Sequence, residues 1–158
     1  MEPKFQKIIS RYDYAEQLAP GGFVIGGKPA LTKIDSDLVG DYVIMTVRDP
    51  LLDYSGDPAE LLSRRLENRV LAGQSGMFTT YSGYYKGAHI SIVSGGSGSP
   101  EAELILVEFM QNSKANTFLR LGGGMAISEK LHSGDVVIAS GVVRDEGMTK
   151  AYVTPNYP

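Results

Sequence analysis

Cysteine is absent from the 158 residues of this chain, and histidine occurs only at His89 and His132. The first absence excludes disulfides, thiolate metal sites and cysteine nucleophiles, and it fits a cytoplasmic protein. Two histidines also make a histidine-rich metal site improbable. We therefore expect no metal ion.

The chain also has neither a large net charge nor a long apolar run. The net charge is -3, which argues against a large nucleic-acid footprint. No long apolar run follows Met1-Glu2-Pro3-Lys4-Phe5, as a signal peptide would require, and no stretch is long enough to cross a membrane. The 42% hydrophobic content suits one soluble domain with a real core, so we expect a cytoplasmic protein with neither nucleic acid nor membrane as partner.

Glycine, in contrast, is abundant, and the segment 88–101 is the most informative place where it clusters. Ile90, Ile92 and Val93 predict a buried strand, the glycines of 95–98 predict a tight turn, and Ser99-Pro100 predicts a helix start with Ser99 as N-cap. Such a turn directs backbone N–H groups and a helix dipole at one point, which suits an anion or a polar sugar. It is also a routine piece of α/β folding.

A dinucleotide site is a weak interpretation of the same turn. The G-x-G-x-x-G pattern is incomplete, because Glu101 stands where the third glycine would be, counting from Gly96. The acids Glu101 and Glu103 also weaken any anion site at the start of the following helix, so a sugar or a packing contact fits this turn better.

The remaining pattern predicts an α/β chain in which helices and strands are interspersed. Apolar spacing predicts helices over 4–18, 58–71 and 100–112. Apolar and β-branched runs predict strands over 41–47, 76–85, 88–94, 116–121 and 135–143. Lys86-Gly87 predicts a hairpin turn. We divide the chain into an N-terminal arm with a helix, residues 1–40, and an α/β domain, residues 41–158.

Arg120 is the unusual residue of the predicted 116–121 strand. It places a permanent charge at the carboxyl end of an apolar segment, where an unpaired buried charge is expensive. Ligands of open α/β sheets bind outside the carboxyl ends of the strands. Arg120 is therefore either a ligand for an oxyanion or half of a structural ion pair.

The order of the motifs resembles the nucleoside phosphorylase superfamily. The resemblance rests on the glycine turn, the amphipathic helix after it, and the segments 117–122, 133–137 and 143–147. Residues 78–158 are most similar to uridine phosphorylases, and 54–58 and 144–158 also resemble AMP nucleosidase, a hydrolytic relative. The fold class implied is α/β: a twisted mixed central β-sheet flanked by helices, here truncated at the C-terminus because the family continues for a comparable stretch.

The resemblance implies an enzyme that moves a ribosyl group from a nucleobase to phosphate. The N-glycosidic bond would loosen through an oxocarbenium-like transition state, with inorganic phosphate as co-substrate and no cofactor. By position, the resemblance implies phosphate binding by Arg120, Arg48 and Gly123. It implies ribose or base binding by Gly95, Gly96 and Gly122.

Several positions depart from the family pattern. The family's Gly-Asp-Pro phosphate turn is matched to Arg48-Asp49-Pro50. Leu52 occupies the position of the arginine that follows this turn in the family. Gly76 occupies the position of a second phosphate-binding arginine of the family, and Met77 occupies the position of the acidic residue beside that arginine. No catalytic residue is assigned, since Asp145 and Glu146 are acid candidates by charge only.

These departures leave three hypotheses. In the first, the chain is one part of a split or hetero-oligomeric nucleoside phosphorylase, with a second chain supplying the C-terminal half. In the second, it is a catalytically degenerate nucleoside-binding or scaffold subunit. In the third, it is a hydrolytic nucleosidase of the AMP nucleosidase type. Nucleoside, phosphate and a homo- or hetero-oligomeric partner are the expected partners.

Overall fold

The computed structural model describes residues 23–48 and 55–152. The helix predicted over 4–18 and the turn residues Asp49, Pro50 and Leu52 lie outside these ranges. The chain divides into two compact units, one ending at Leu121 and one beginning at Gly122.

The first unit contains a mixed five-stranded sheet. The strands of the unit are β1 (Val24–Ile25), β2 (Lys28–Pro29), β3 (Tyr42–Thr46), β4 (Glu67–Gln74), β5 (Thr79–Tyr85), β6 (Ala88–Ser94) and β7 (Thr117–Leu121). The short hairpin β1–β2 stands apart, and the large sheet has the order β4-β5-β6-β3-β7. Pairing is antiparallel from β4 to β6 and parallel from β6 through β3 to β7. The predicted α/β sheet is confirmed.

The hairpin β5–β6 forms as its turn chemistry predicts. Lys86 and Gly87 have φ angles of 51° and 81°, and positive φ at both positions is the geometry of a tight hairpin turn. Tyr85 pairs with Ala88 across the turn, and Thr79 pairs with Ser94 at the other end. This register places the end of β6 beside the start of β5.

The long helix, α2 (Ser99–Asn112), connects β6 to β7, as parallel strands require a crossover. Ile105 and Phe109 are fully buried in one core with Val43 and Met45 of β3. The helix is confirmed, but the N-cap is Gly98, with φ 92°, and not Ser99, which lies inside the first turn. No helix in the described ranges is both long and apolar enough to cross a bilayer.

The helix predicted over 58–71 is wrong in its second half. Helix α1 covers only Pro58–Ser63, and Glu67 already begins β4. The leucine and valine spacing fits a helix, but pairing of β4 with β5 along 67–74 decides the outcome. Asn68, with φ 50°, interrupts any continuing helix.

A buried carboxylate fastens α2 to the segment that follows β2. Glu108 is 6% exposed. It accepts hydrogen bonds from Leu31 N at 3.0 Å, Thr32 N at 2.7 Å and Thr32 Oγ1 at 2.7 Å. Three donors compensate the cost of burying this charged group.

The second unit contains no strand among its described residues, so the strand predicted over 135–143 is wrong. Val136, Ile138 and Val142 are 87%, 90% and 69% exposed. A strand needs neighbours to satisfy its backbone N–H and C=O groups, and β-branched residues alone do not supply them. Among the residues of this unit that the structure describes, the regular element is a short 3-10 helix, Thr149–Ala151.

Candidate functional site

The carboxyl ends of β6, β3 and β7 lie side by side in the sheet. Ser94 is in register with Thr46, and Thr46 with Leu121. The chain leaves β6 into the glycine turn and leaves β3 towards Arg48, while Arg120 is the penultimate residue of β7. The topology therefore collects three of the predicted features at one edge of the sheet.

The glycine turn has no room for a side chain at Gly95 or Gly96. Gly95 has φ 127°, and a Cβ there would lie 2.4 Å from Cδ1 of the buried Phe78 ring. Gly96 has φ 73°, and a Cβ there would lie 3.3 Å from Ile105 Cδ1. Both glycines are buried, so the turn packs closely on the core and its conformation requires glycine.

Arg120 reaches back to this turn from the edge strand. Its Nη2 donates a hydrogen bond of 2.5 Å to the carbonyl oxygen of Gly96. Partial burial lowers the pKa of Arg120 below its ordinary value, because the charged form loses solvation. No carboxylate within the described ranges forms a salt bridge with Arg120. Since a guanidinium has five N–H donors, the contact with Gly96 leaves donors for a further acceptor.

Arg48 is held at the neighbouring strand end by its main chain and its side chain. Ser97 Oγ donates to the Arg48 carbonyl oxygen at 2.8 Å. Arg48 Nη1 donates to Asp57 Oδ2 at 3.4 Å, and the same oxygen accepts from Ser94 Oγ at 2.7 Å. This cluster ties the end of β3 to the end of β6 and to the start of α1.

A carboxylate already occupies part of the glycine turn. The backbone N–H of Ser97 donates to Glu101 Oε2 at 2.9 Å. A fixed negative charge at this point opposes a second anion and leaves a neutral hydroxyl as the better ligand. The expectation that the turn holds a sugar stays a prediction.

The remaining predicted residues lie elsewhere or serve another purpose. Gly122 and Gly123 follow β7 directly in the chain but belong to the second unit, and their assignment stays a prediction. Met77 is 43% exposed. Glu146 accepts the backbone N–H groups of Met148 and Thr149 at 2.8 Å and 3.1 Å, which is the role of a turn carboxylate.

Sequence reasoning overlooked Asp57, Ser94 and Ser97 as parts of this cluster. The signal that could have found Asp57 is the Gly56-Asp57-Pro58 segment, because aspartate before proline at a helix start is a strong N-cap pattern. Asp57 is the N-cap of α1. The resemblance instead matches the family's Gly-Asp-Pro turn to Arg48-Asp49-Pro50, where no glycine is present.

The arrangement combines cationic donors with a close-packed polar turn. Guanidinium groups are chemically suited to hold a phosphate through charge-assisted hydrogen bonds. The glycine turn brings main-chain groups near the space a sugar would need. The described residues include no group of histidines and carboxylates that could hold a metal ion.

Comparison with known proteins was consistent across sequence and structure. A family model described as "Phosphorylase superfamily" matches residues 51–158. The uridine phosphorylase of Thermococcus kodakarensis is 41% identical over 81 residues, which are 51% of this chain and 29% of that protein. That of Haemophilus influenzae is 34% identical over 105 residues, 65% of this chain and 41% of that protein.

The relatives include proteins named for different bases. The guanosine phosphorylase of Halorubrum lacusprofundi is 31% identical over 105 residues, 65% of this chain and 43% of that protein. A crystal structure of uridine phosphorylase from Vibrio fischeri superposes with a TM-score of 0.70 and 28% identity. It covers 84% of this chain and 52% of that chain, so our chain spans about half the length of such relatives.

Proposed function

The chain belongs to the phosphorylase superfamily, and on that premise we propose that it serves in the transfer of a ribosyl group from a nucleoside to inorganic phosphate. The single observation that supports this function is the juxtaposition of Arg48, Arg120 and the glycine turn at adjacent strand ends. Phosphate would bind between the arginines, and the ribose beside Gly95 and Gly96.

The proposed reaction exchanges one bond at C1′ of the ribose for another. The bond from C1′ to the base nitrogen breaks with its electron pair going to the base, which takes up a proton. A phosphate oxygen then forms the new bond to C1′ and gives ribose 1-phosphate. The protein's contribution is electrostatic, because a phosphate held by arginines stabilises the cationic sugar of an oxocarbenium-like transition state. The reaction needs no cofactor other than phosphate as co-substrate.

We further propose that a segment from outside this 158-residue chain completes the sheet beyond β7, supplied by a longer form of the polypeptide, a second copy or another chain. This strand ends the sheet order within the described residues, and its Leu119 and Leu121 are 58% and 46% exposed. Parallel strands are normally covered on both faces, and an open edge of this kind invites pairing. This chain spans about half the length of such a relative, and the other half is a source of a suitable segment.

Native mass spectrometry of the protein isolated from its own cells is the first test. A second polypeptide at fixed stoichiometry supports the split enzyme, and a homo-oligomer supports pairing between copies of this chain. A strictly monomeric 158-residue chain contradicts the completed sheet.

The isolated species is then incubated with uridine, inosine and guanosine, with and without phosphate. Ribose 1-phosphate that appears only with phosphate supports the proposed function, whereas free ribose identifies a hydrolytic nucleosidase. Nucleoside binding without either product identifies a catalytically degenerate subunit.

A further inference from the structure

We propose that Asp57 is a positioning residue that fixes the guanidinium of Arg48 for phosphate. This inference rests on the proposed function and adds to it a residue that contacts no substrate itself. It is carried by the four acceptor interactions of one carboxylate, which link α1, β6 and Arg48.

The two oxygens of Asp57 have separate tasks. Oδ1 accepts the backbone N–H groups of Ala59 and Glu60 at 2.9 Å and 3.2 Å and so caps α1. Oδ2 accepts Ser94 Oγ at 2.7 Å and lies 3.4 Å from Arg48 Nη1. Because the first pair anchors the carboxylate to a helix start, the second pair has a fixed reference from which to orient Arg48.

The position of Arg48 fits binding as well as anchoring. Its side chain is 37% exposed and that of Asp57 is 19% exposed, so an anion from solvent can reach the guanidinium while Asp57 stays mostly covered. One of five N–H donors is directed at Asp57, and the others remain for phosphate. The Arg48 main chain is held by Ser97 Oγ, which limits movement at both ends of the residue.

The negative charge of Asp57 would by itself repel phosphate, so its net effect depends on two opposing contributions. Four donors already compensate this carboxylate: two helix N–H groups, one hydroxyl and one guanidinium. Compensation reduces the repulsion felt outside the cluster. If the Arg48 side chain is ordered before phosphate binds, its conformational entropy is not lost on binding, which corresponds to about a tenfold change in the binding constant. The proposal requires that orientation outweighs this reduced repulsion, so that Asp57 strengthens phosphate binding.

Asp57→Asn separates the two tasks of the residue. Asparagine is an equally good N-cap and keeps the Oδ1 acceptor for α1. It places an NH₂ group where Oδ2 was, and this group cannot accept from Arg48 or Ser94. Calorimetric titration of inorganic phosphate into the protein, in the assembled form that native mass spectrometry identifies, should show about tenfold weaker binding for Asp57→Asn than for the wild type. Ser94→Ala removes only one bond of the cluster and should weaken binding by about threefold or less.

The matched control is Asp35→Asn. Asp35 also caps a helical turn, Ser36–Leu38, and lies 3.5 Å from a cation, Lys28 Nζ, but it is outside the cluster. Its replacement should leave phosphate binding unchanged. Thermal melting of each variant checks folding, and Asp57→Ser, which keeps a capping hydroxyl, replaces Asp57→Asn if the latter does not fold.

The outcomes separate this inference from the proposed function. Equal phosphate affinity for the wild type and a folded Asp57 variant overturns the positioning role and leaves the function intact. A wild type that binds no phosphate overturns the function, and the positioning role is then decided by NMR of the Arg48 Nε–Hε group. The role is supported if the wild type shows a separate Arg48 signal with slow side-chain rotation, and if this signal merges with those of the solvent-exposed arginines in Asp57→Asn. A signal that is the same in both proteins overturns the role.

Discussion

Arg120 Nη2 and the carbonyl oxygen of Gly96 are 2.5 Å apart, and this hydrogen bond joins the edge strand β7 to the glycine turn that follows β6. The strand β3 lies between β6 and β7, so the side chain spans the end of a central strand. The same contact holds a permanent positive charge at the edge of the sheet where the chain leaves β3 towards Arg48. Two cations and a glycine turn thus share one edge of the sheet.

Arg120→Lys should weaken phosphate binding by about tenfold or more. Lysine keeps the charge but loses the planar set of donors that contacts Gly96 and phosphate together. A charge-assisted hydrogen bond is worth about 1.5–3 kcal/mol, which corresponds to this factor. Calorimetric titration of phosphate measures the effect, and Arg64→Lys, an exposed residue paired with Glu60, is the matched control. Unchanged binding by Arg120→Lys would remove Arg120 from the site.

Phosphate binding through Arg120 should not vary with the protonation of this residue near neutral pH. Partial burial lowers the pKa of Arg120 below its ordinary value, so the cost of its charge is fully present below the lowered pKa and is relieved only as pH rises through it. A guanidinium stays charged in proteins at any pH where the chain is folded. Between about pH 6 and about pH 9, the measured phosphate affinity should therefore change only with the ionisation of phosphate and of groups other than Arg120. The prediction is contradicted if the wild type loses affinity in this range and Arg120→Lys does not.

Gly95→Ala should destabilise the first unit by about 1–3 kcal/mol or more. The φ angle of 127° is unfavourable for alanine, and its Cβ would lie 2.4 Å from the Phe78 ring, which is fully buried. Urea denaturation followed by circular dichroism gives the free energy of unfolding. Gly124→Ala is the control, since no atom lies within 4 Å of the Cβ position there. Equal stability of the two variants would show that the turn is not close-packed.

Glu108→Gln should lower the free energy of unfolding by about 1–3 kcal/mol. The amide nitrogen replaces either Oε1, which accepts from the backbone N–H of Leu31, or Oε2, which accepts from the backbone N–H and the hydroxyl of Thr32. A buried donor is then left facing a donor. The same denaturation experiment on Glu67→Gln, at an exposed position of β4, should show less than about 0.5 kcal/mol. A stable Glu108→Gln protein would mean that water replaces the lost acceptor.

Leu119→Lys should break the assembly proposed for the β7 edge while the chain itself stays folded. Leu119 is 58% exposed, so a lysine there costs little in the isolated chain but would be buried by a covering segment. Native mass spectrometry and thermal melting measure the two effects separately. Met110→Lys introduces the same charge at a 42% exposed position of α2 and should leave the assembly intact. An assembly that survives Leu119→Lys places the interface elsewhere.

The sequence by itself determined the central elements of the sheet. The apolar runs of β3 and β6, the Lys86-Gly87 turn and the spacing of α2 each satisfy a local rule, and local rules agree with the fold at these places. The family also followed from sequence, because the order of the glycine turn, the helix and the Arg120 strand is a linear property of the chain.

Only the tertiary structure decided the fate of ambiguous segments and the contacts of the site. Residues 67–74 fit helical spacing, yet pairing with β5 makes them a strand, and residues 135–143 fit a strand but have no strand neighbour among the described residues. Asp57 and Arg48 are distant from Ser94 in sequence, and no periodicity indicates that they meet. Hydrogen bonds between strands and between side chains depend on partners far along the chain, and a local pattern carries no information about those partners.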